Sequence, residues 1–256
     1  MDGWLQFGRG PLFRLALVLM VLGLLRILWL TFMGIWEVLR EAQDDSLPIR
    51  EVLHQTAAWM FPFGKLWRRR PVYSGLSFLF HVGLIFVPVF LAAHVLLWKE
   101  TTGAPWPMEP QKIANGLTLM VIATALGIFL GRLLYPAARQ ISGPPEYIWP
   151  LLLAVPFITG YVASNMRIGP SAYQWMMLVH VYVGDLILMM IPFTRIAHCV
   201  LTPLSQLVSQ VAWKFSPGAG DRTAETLGYG DRPSWTAKAR LTLAETHNAQ
   251  TEGARK

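Results

Sequence analysis

The sequence predicts an all-α integral membrane protein, a bundle of five transmembrane helices with an amphipathic helix in a cytoplasmic loop. Its 256 residues are 54% hydrophobic and only 14% charged, which is far from the balance of a soluble domain. Five apolar segments are long enough to cross a hydrocarbon core of about 30 Å, which takes about 20 helical residues. The basic residues fall mainly in alternate loops, as the positive-inside rule requires of a multi-pass protein.

The spans are predicted at residues 11–36, 75–98, 113–135, 148–165 and 175–201. Prolines near the start of the fourth span, Pro150 and Pro156, leave its boundary open. Lys and Arg are concentrated between the first and second spans, between the third and fourth, and after the fifth. We therefore expect the N-terminus outside and the C-terminus in the cytoplasm.

Two regions are predicted along the chain. Residues 1–210 form the five-span membrane domain, and residues 211–256 form a cytoplasmic, partly flexible tail rich in Gly, Thr, Ala and charge. Within the first cytoplasmic loop, the segment from Leu47 to Phe61 has apolar residues at roughly helical spacing. It is predicted to form an amphipathic helix at the membrane surface or against a partner.

Four histidines lie in only two of the spans, His81 and His94 in the second and His180 and His198 in the fifth. Ionisable side chains inside a bilayer are costly, so by default they indicate function. Imidazole is also a common axial ligand of haem iron. Because the two spans run in opposite directions, the predicted pairs are His81 with His198 near the cytoplasmic face, and His94 with His180 near the outer face.

The helical repeat makes the two pairs unequal. His180 and His198 are eighteen residues apart, which is five whole turns, so in one helix both rings leave the same face about 27 Å apart. His81 and His94 are thirteen residues apart and differ by about 140° around a straight helix. The outer pair therefore requires a kink or a π-bulge in the second span, and Pro88 is the expected place.

Two further polar groups lie in the fifth span. Arg195 is a candidate partner for a haem propionate, because guanidinium groups pair with carboxylates; snorkelling to lipid phosphate is the alternative. Asp185 is a candidate proton relay or a hydrogen-bond partner of a ligand imidazole; a structural contact with a neighbouring helix is the alternative. Weaker candidates are Arg26 and Arg132 for propionates, and Lys99, Tyr173 and Tyr182 for a quinone pocket.

The composition also excludes several classes of site. The single cysteine, Cys199, excludes an internal disulfide and a Cys-based zinc or iron–sulfur centre. The net charge of +7 follows from membrane topology and does not indicate nucleic-acid binding. No nucleophile or metal-hydrolase constellation is present, so whether the chain is itself an enzyme is left open.

At these histidines the sequence resembles the gamma-subunit family of respiratory nitrate reductase. The motifs are Phe78-Leu-Phe-His81-Val-Gly in the second span and, more specifically, Leu178-Val-His180 and Pro192-Phe-Thr-Arg195-Ile-Ala-His198-Cys-Val-Leu-Thr-Pro203 in the fifth. His81 and His94 stand further apart than in the nitrate reductase subunit proper. The loop from Phe61 to Ser74 looks more like the branch that includes the membrane cytochrome of the sulfite-reductase-associated Dsr complex.

The resemblance implies a five-span cytochrome of a prokaryotic cytoplasmic membrane that holds two haem b groups. His81 and His198 would bind the inner haem iron, and His94 and His180 the outer haem iron. The implied partners are a cytoplasmic iron–sulfur subunit similar to heterodisulfide reductase and further membrane or periplasmic redox subunits.

The sequence thus predicts an electron-transfer subunit that connects the quinone/quinol pool with a cytoplasmic iron–sulfur partner of a respiratory or sulfur-metabolism complex. One alternative is the cytochrome b subunit of a membrane-bound nickel–iron hydrogenase or of a nitrate reductase. Two alternatives of other classes are a haem-free membrane anchor and a small transporter in which His and Asp185 relay protons.

Overall fold

The computed structural model of the protein describes residues 1–42, 49–60, 67–68 and 70–211. These residues are almost entirely helical and include no β-strand, which confirms the predicted all-α class. Five helical segments in them are long and apolar enough to cross a membrane, and the chain is therefore a multi-pass membrane protein: Asp2–Glu37, Pro71–Phe90, Gln111–Leu134, Pro144–Asn165 and Pro170–Phe193. From residue 212 onward the predicted tail lies outside the described residues, as do residues 61–66 and Arg69 of the first long loop.

The first span consists of α1 (Asp2–Phe7), a π-helical turn (Gly8–Leu12) and α2 (Phe13–Ala42). It starts at Asp2, well before the predicted residue 11, because the helix continues through Pro11. The proline lies inside the wider π turn, which accommodates a residue without a backbone N–H.

The amphipathic helix predicted in the first loop is present as α3 (Ile49–Met60). Thr56 is buried, whereas Leu53 and His54 are exposed. The helix itself is confirmed, and its cytoplasmic location stays a prediction.

The second apolar segment is two helices, α4 (Pro71–Phe90) and α5 (Ala92–Thr102), with a break at Leu91. Leu91 has φ −60° and ψ 130°, an extended conformation that ends α4 and precedes α5. The distortion that the histidine spacing requires is therefore a break, not a π-bulge, and it follows Pro88 by three residues. α5 ends at Gly103, whose φ of 74° is the left-handed conformation typical of a helix end.

The third and fourth spans are α6 (Gln111–Leu134) and α8 (Pro144–Asn165), joined by the short α7 (Pro136–Gln140). α8 starts four residues before the predicted 148, because proline suits the first helical turn. The N–H of Gly143 donates to the carboxylate Oε2 of Glu146 at 2.8 Å, which caps this end.

The fifth span is shorter than predicted and does not continue to residue 201. α9 (Pro170–Met190) gives way to two 3₁₀ turns, Ile191–Phe193 and Arg195–Ala197, before α10 (His198–Val211) begins. Pro192, which cannot donate a backbone hydrogen bond, and the extended Thr194 interrupt the helix. His180 and His198 are thus not on one continuous helix, and the argument from five whole turns was wrong.

The hydrophobic core lies where α4, α6 and α8 pack together. Its buried side chains are Phe80, Val87, Val121, Ala125, Ile128, Leu153, Ala154 and Phe157. Gly83 is required at the contact between α4 and α6, since a Cβ there would overlap the Val121 side chain and lie 3.0 Å from the Leu117 carbonyl oxygen. Gly83 therefore serves helix packing, as small residues commonly do in membrane bundles.

By its contacts the chain divides into two compact units. The first comprises residues 1–25 and 60–197 and contains His81, His94, His180, Asp185 and Arg195. The second comprises residues 26–59 and 198–256 and contains His198.

Candidate functional site

The rings of His94 and His180 lie next to each other inside the bundle. Their centroids are 5.9 Å apart and their planes differ by 15°. His94 comes from α5, just beyond the break at Leu91, and His180 from the middle of α9. The structure thus brings together the two residues predicted as the outer pair.

The separation of the two rings suits a shared metal ion. A bond from a metal to an imidazole nitrogen is about 2.0–2.1 Å, so two imidazoles on opposite sides of one ion have centroids roughly 6 Å apart. Ordinary ring pairs also fall between about 4.5 and 7 Å, so the distance alone does not identify a ligand pair. The hydrogen bonds of the two rings are therefore the second criterion for a ligand pair.

The protonation state of His180 follows from its partner. Its Nδ1 lies 2.8 Å from the carbonyl oxygen of Pro156 in α8. A carbonyl can only accept, so Nδ1 carries a hydrogen, and in the neutral form of the ring Nε2 keeps its lone pair. The Oγ1 of the buried Thr159 lies 3.4 Å from the same Nδ1. A backbone partner on one nitrogen is what orients a metal-ligating imidazole.

The other two histidines of the first unit also direct Nδ1 to backbone carbonyls. In His81 the partner is the Ser77 oxygen, one turn earlier, at 2.6 Å. In His94 it is the Val87 oxygen, across the helix break, at the longer distance of 3.4 Å. Each arrangement favours the tautomer with its lone pair on Nε2.

His198 is the first residue of α10 and is exposed. Because it belongs to the second unit, its predicted pairing with His81 stays a prediction.

α8 forms a close wall beside His180. A Cβ on Gly160 would lie 2.8 Å from Cε1 and 3.0 Å from Nδ1 of the His180 ring. Only glycine leaves room for the imidazole in this position. The sequence pattern did not indicate this helix as part of the site, because nothing local connects Pro156, Thr159 or Gly160 with a histidine twenty or more residues later.

The described residues contain no group of three or more His, Cys, Asp or Glu side chains placed to hold a metal ion. A haem does not need such a group, because the porphyrin supplies four iron ligands and leaves two axial positions to the protein. Two convergent imidazoles are therefore a donor set that suits haem better than a bare ion.

Asp185 lies in α9 and is only 3% exposed. Its Oδ2 is buried and has no hydrogen-bond partner among the described residues. A carboxylate in this setting is costly unless it is protonated or finds a partner. The role of Asp185 as a proton relay therefore stays a prediction. The alternative was a structural contact with a neighbouring helix, and the hydrogen bonds of such a contact are incomplete because Oδ2 has no partner among the described residues.

Two of the three arginines predicted as propionate partners, Arg132 and Arg195, have protein partners. Arg195 forms an ion pair with Glu146 at the start of α8. Arg132 donates to the Ser142 hydroxyl at 3.1 Å and to the Tyr73 hydroxyl at 3.3 Å. Whether Arg195 also holds a haem propionate stays a prediction.

Among the weaker candidates for a quinone pocket, Tyr182 lines a cavity that the described residues form, and Lys99 and Tyr173 do not line it. Lys99 and Tyr173 are exposed, while the Tyr182 hydroxyl donates to the Trp4 carbonyl at 3.2 Å. Tyr182 lines a cavity of about 430 Å³ whose other lining residues are Met1, Trp4, Trp175 and Leu178. Leu178 and Tyr182 are each two residues from His180, about 200° around the helix, so this cavity and the His94–His180 pair lie on different sides of α9.

The chain is 31% identical over 204 residues to a protein of Nitratidesulfovibrio vulgaris (strain Hildenborough). The matched region covers 78% of this chain and 89% of the relative. The chain belongs to the family of that protein. The name printed for the relative is simply "Protein", which states no activity.

No family model matches the chain, and no solved structure matches it. The resemblance to the nitrate reductase gamma subunit therefore stays a prediction.

Proposed function

We propose that the protein is a membrane cytochrome b with two haems, which exchanges electrons between the quinone/quinol pool and a cytoplasmic iron–sulfur subunit. Two convergent histidines from α5 and α9, each with Nδ1 directed to a backbone carbonyl, are the observation that carries the proposal. This arrangement favours a lone pair on the Nε2 atom of each of the two neighbouring rings.

Haem iron alternates between its ferric and ferrous states and so carries single electrons. The residues of the chain would hold and orient it. His94 and His180 would bind the outer haem, and His81 and His198 the inner haem. α8 fixes the orientation of the His180 ring through Pro156 and leaves space for it at Gly160.

In the proposed orientation the N-terminus is outside and the C-terminus is in the cytoplasm. Oxidation of one quinol to quinone releases two electrons and two protons, and haems held by these histidines would supply one-electron acceptors. In this proposal the buried Asp185 would take up or pass on a proton.

The proposed iron–sulfur cluster would lie on a partner subunit, because the chain has one cysteine and cannot hold such a cluster itself. We propose an iron–sulfur subunit on the cytoplasmic side, similar to heterodisulfide reductase, together with further redox subunits in or outside the membrane.

The test is the reduced-minus-oxidised visible spectrum and the haem content of the purified protein. We expect a b-type spectrum and two haems per chain. His94→Ala and His180→Ala should each remove the same haem, and His81→Ala and His198→Ala the other. His54→Ala is the matched control, since His54 is exposed on α3, and it should keep both haems.

A protein without a b-type band, purified with its membrane lipids, would contradict the proposal. That result would favour a haem-free membrane anchor, or a transporter if proton movement depended on Asp185.

A further inference from the structure

The break at Leu91 removes the backbone partners of several carbonyl groups in the last turn of α4. In a continuous helix the carbonyls of residues 88 and 90 would accept from the N–H groups of residues 92 and 94. The extended ψ of Leu91 turns those N–H groups away. Unsatisfied backbone groups are costly within a bilayer, so a break there needs other donors.

Two donors from outside α4 replace the lost bonds. The indole Nε1 of Trp98 donates to the carbonyl oxygen of Pro88 at 3.0 Å. The backbone N–H of Glu109 donates to the carbonyl oxygen of Phe90 at 2.9 Å, which ties the loop before α6 to the break.

Trp98 and His94 occupy the same face of α5, because they are four residues apart. Both side chains turn back toward neighbouring carbonyls of α4, His94 toward Val87 and Trp98 toward Pro88. An indole that fixes one turn of α5 against the end of α4 also fixes the direction in which His94 leaves the helix.

The Trp98 ring is held from its other side. It packs against Phe13 with the ring centroids 5.2 Å apart and the planes at 60°. Phe13 is 5% exposed and belongs to α2. The indole is thus fixed between the first span and the end of α4, unlike a belt tryptophan whose N–H points to the lipid headgroups.

We propose that Trp98 is a positioning residue that holds His94 in reach of His180, and so determines the geometry of the outer haem. The inference rests on the proposed function. Trp98 does not touch the iron; it acts through the orientation of α5. This role of Trp98 also explains how His94 can pair with His180 although His81 and His94 are thirteen residues apart, which is about 140° out of phase in a straight helix.

The test compares Trp98→Phe, which keeps an aromatic ring and removes the N–H donor, with the wild type and with Trp29→Phe. Trp29 is 66% exposed on α2 and is the matched control. The readouts are the rate of haem transfer to apomyoglobin, the electron paramagnetic resonance signal of each ferric haem, and the melting temperature. In Trp98→Phe we expect the outer haem to be held about 10–100-fold less tightly and therefore to be lost faster, which is the range typical when a group that orients a metal ligand is removed.

The signal of the outer haem should change because it reports the angle between the two imidazole planes, while the inner haem should stay as in the wild type. Equal changes at both haems, or a lower melting temperature with an unchanged outer signal, would show that Trp98 has only a structural role. A wild type without haem would refute the proposed function instead, so the two failures are distinguishable.

A second variant decides the case if Trp98→Phe does not accumulate. Glu109→Pro removes the N–H that donates to Phe90 and leaves Trp98 in place. It should alter the same outer-haem signal, and a normal signal would overturn the proposed role of the break in positioning His94.

Discussion

The Nδ1 atom of His180 lies 2.8 Å from the carbonyl oxygen of Pro156. This contact joins the fourth and fifth spans and fixes which nitrogen of the imidazole carries the hydrogen. It also brings a third helix, α8, into a site that the sequence had assigned to two.

Gly160→Ala should remove the outer haem, because the new Cβ would lie 2.8 Å from the His180 ring and displace it. We expect the haem content to fall from two per chain to one, with the outer signal missing. The control is Gly131→Ala in α6, where no atom lies within 4 Å of the added methyl group and both haems should stay. If Gly160→Ala kept two haems with unchanged spectra, the His180 ring would have room to move, and the predicted requirement for glycine would be wrong.

Gly83→Ala should destabilise the contact between α4 and α6, since the methyl group would overlap Val121 in the core. Overpacking of this kind typically costs about 1–3 kcal/mol. Thermal unfolding in detergent measures the effect, with Gly116→Ala as the control because its added Cβ meets nothing within 4 Å. If Gly83→Ala were as stable as Gly116→Ala, the close packing of α4 on α6 would not be required.

Asp185→Asn should keep both haems and slow the reduction of the haems by quinol. The amide keeps the size of the side chain and removes its ability to accept and release a proton, which in general acid–base steps costs roughly 10²-fold or more. The free energy of unfolding of Asp185→Asn should be equal to or higher than that of the wild type, because the amide cannot carry a charge at the position of the buried Oδ2, which has no partner among the described residues. Stopped-flow reduction with a soluble quinol measures the rate, and Glu100→Gln, at an exposed position, is the control. A wild-type rate in Asp185→Asn would exclude the relay.

Arg195→Gln and Glu146→Gln separate two roles of Arg195. If the role of Arg195 is its ion pair with Glu146, each variant should lose about 1 kcal/mol or less from this partly exposed pair, and Glu146→Gln should also weaken the cap of α8 at Gly143. If the arginine also holds a propionate of the inner haem, Arg195→Gln should shift the redox potential of that haem and Glu146→Gln should not. Potentiometric titration of the two haems distinguishes these outcomes, and equal potentials in the two variants would contradict the propionate role.

The sequence predicted the helical class and the number of spans because length and apolarity are local properties. Helix ends were less predictable, since they depend on particular contacts. Pro11 lies inside a π turn, and Glu146 caps an early start of α8. The fifth span was the largest error, because an eighteen-residue spacing was taken as one helix although Pro192 interrupts it.

At the candidate site, the sequence identified His94 and His180 but not what holds them. The requirement for a distortion in the second span followed from the rotation of about 100° per residue in an α-helix. The form of the distortion, a break and not a bulge, did not follow from it. The break at Leu91 depends on donors from Trp98 and from Glu109, eighteen residues further along the chain. Such partners are tertiary, and no local pattern indicates them.

The break at Leu91 has a consequence for how this family can vary. In a straight helix, each residue inserted or deleted between two ligands would rotate one of them by about 100°. A break whose carbonyls are satisfied by side chains and by a loop can absorb such a change in the extended residue. If His81 and His94 are ligands, as proposed, a chain with another number of residues between them could still direct both rings to their partners, so their spacing alone does not exclude a relative from this function.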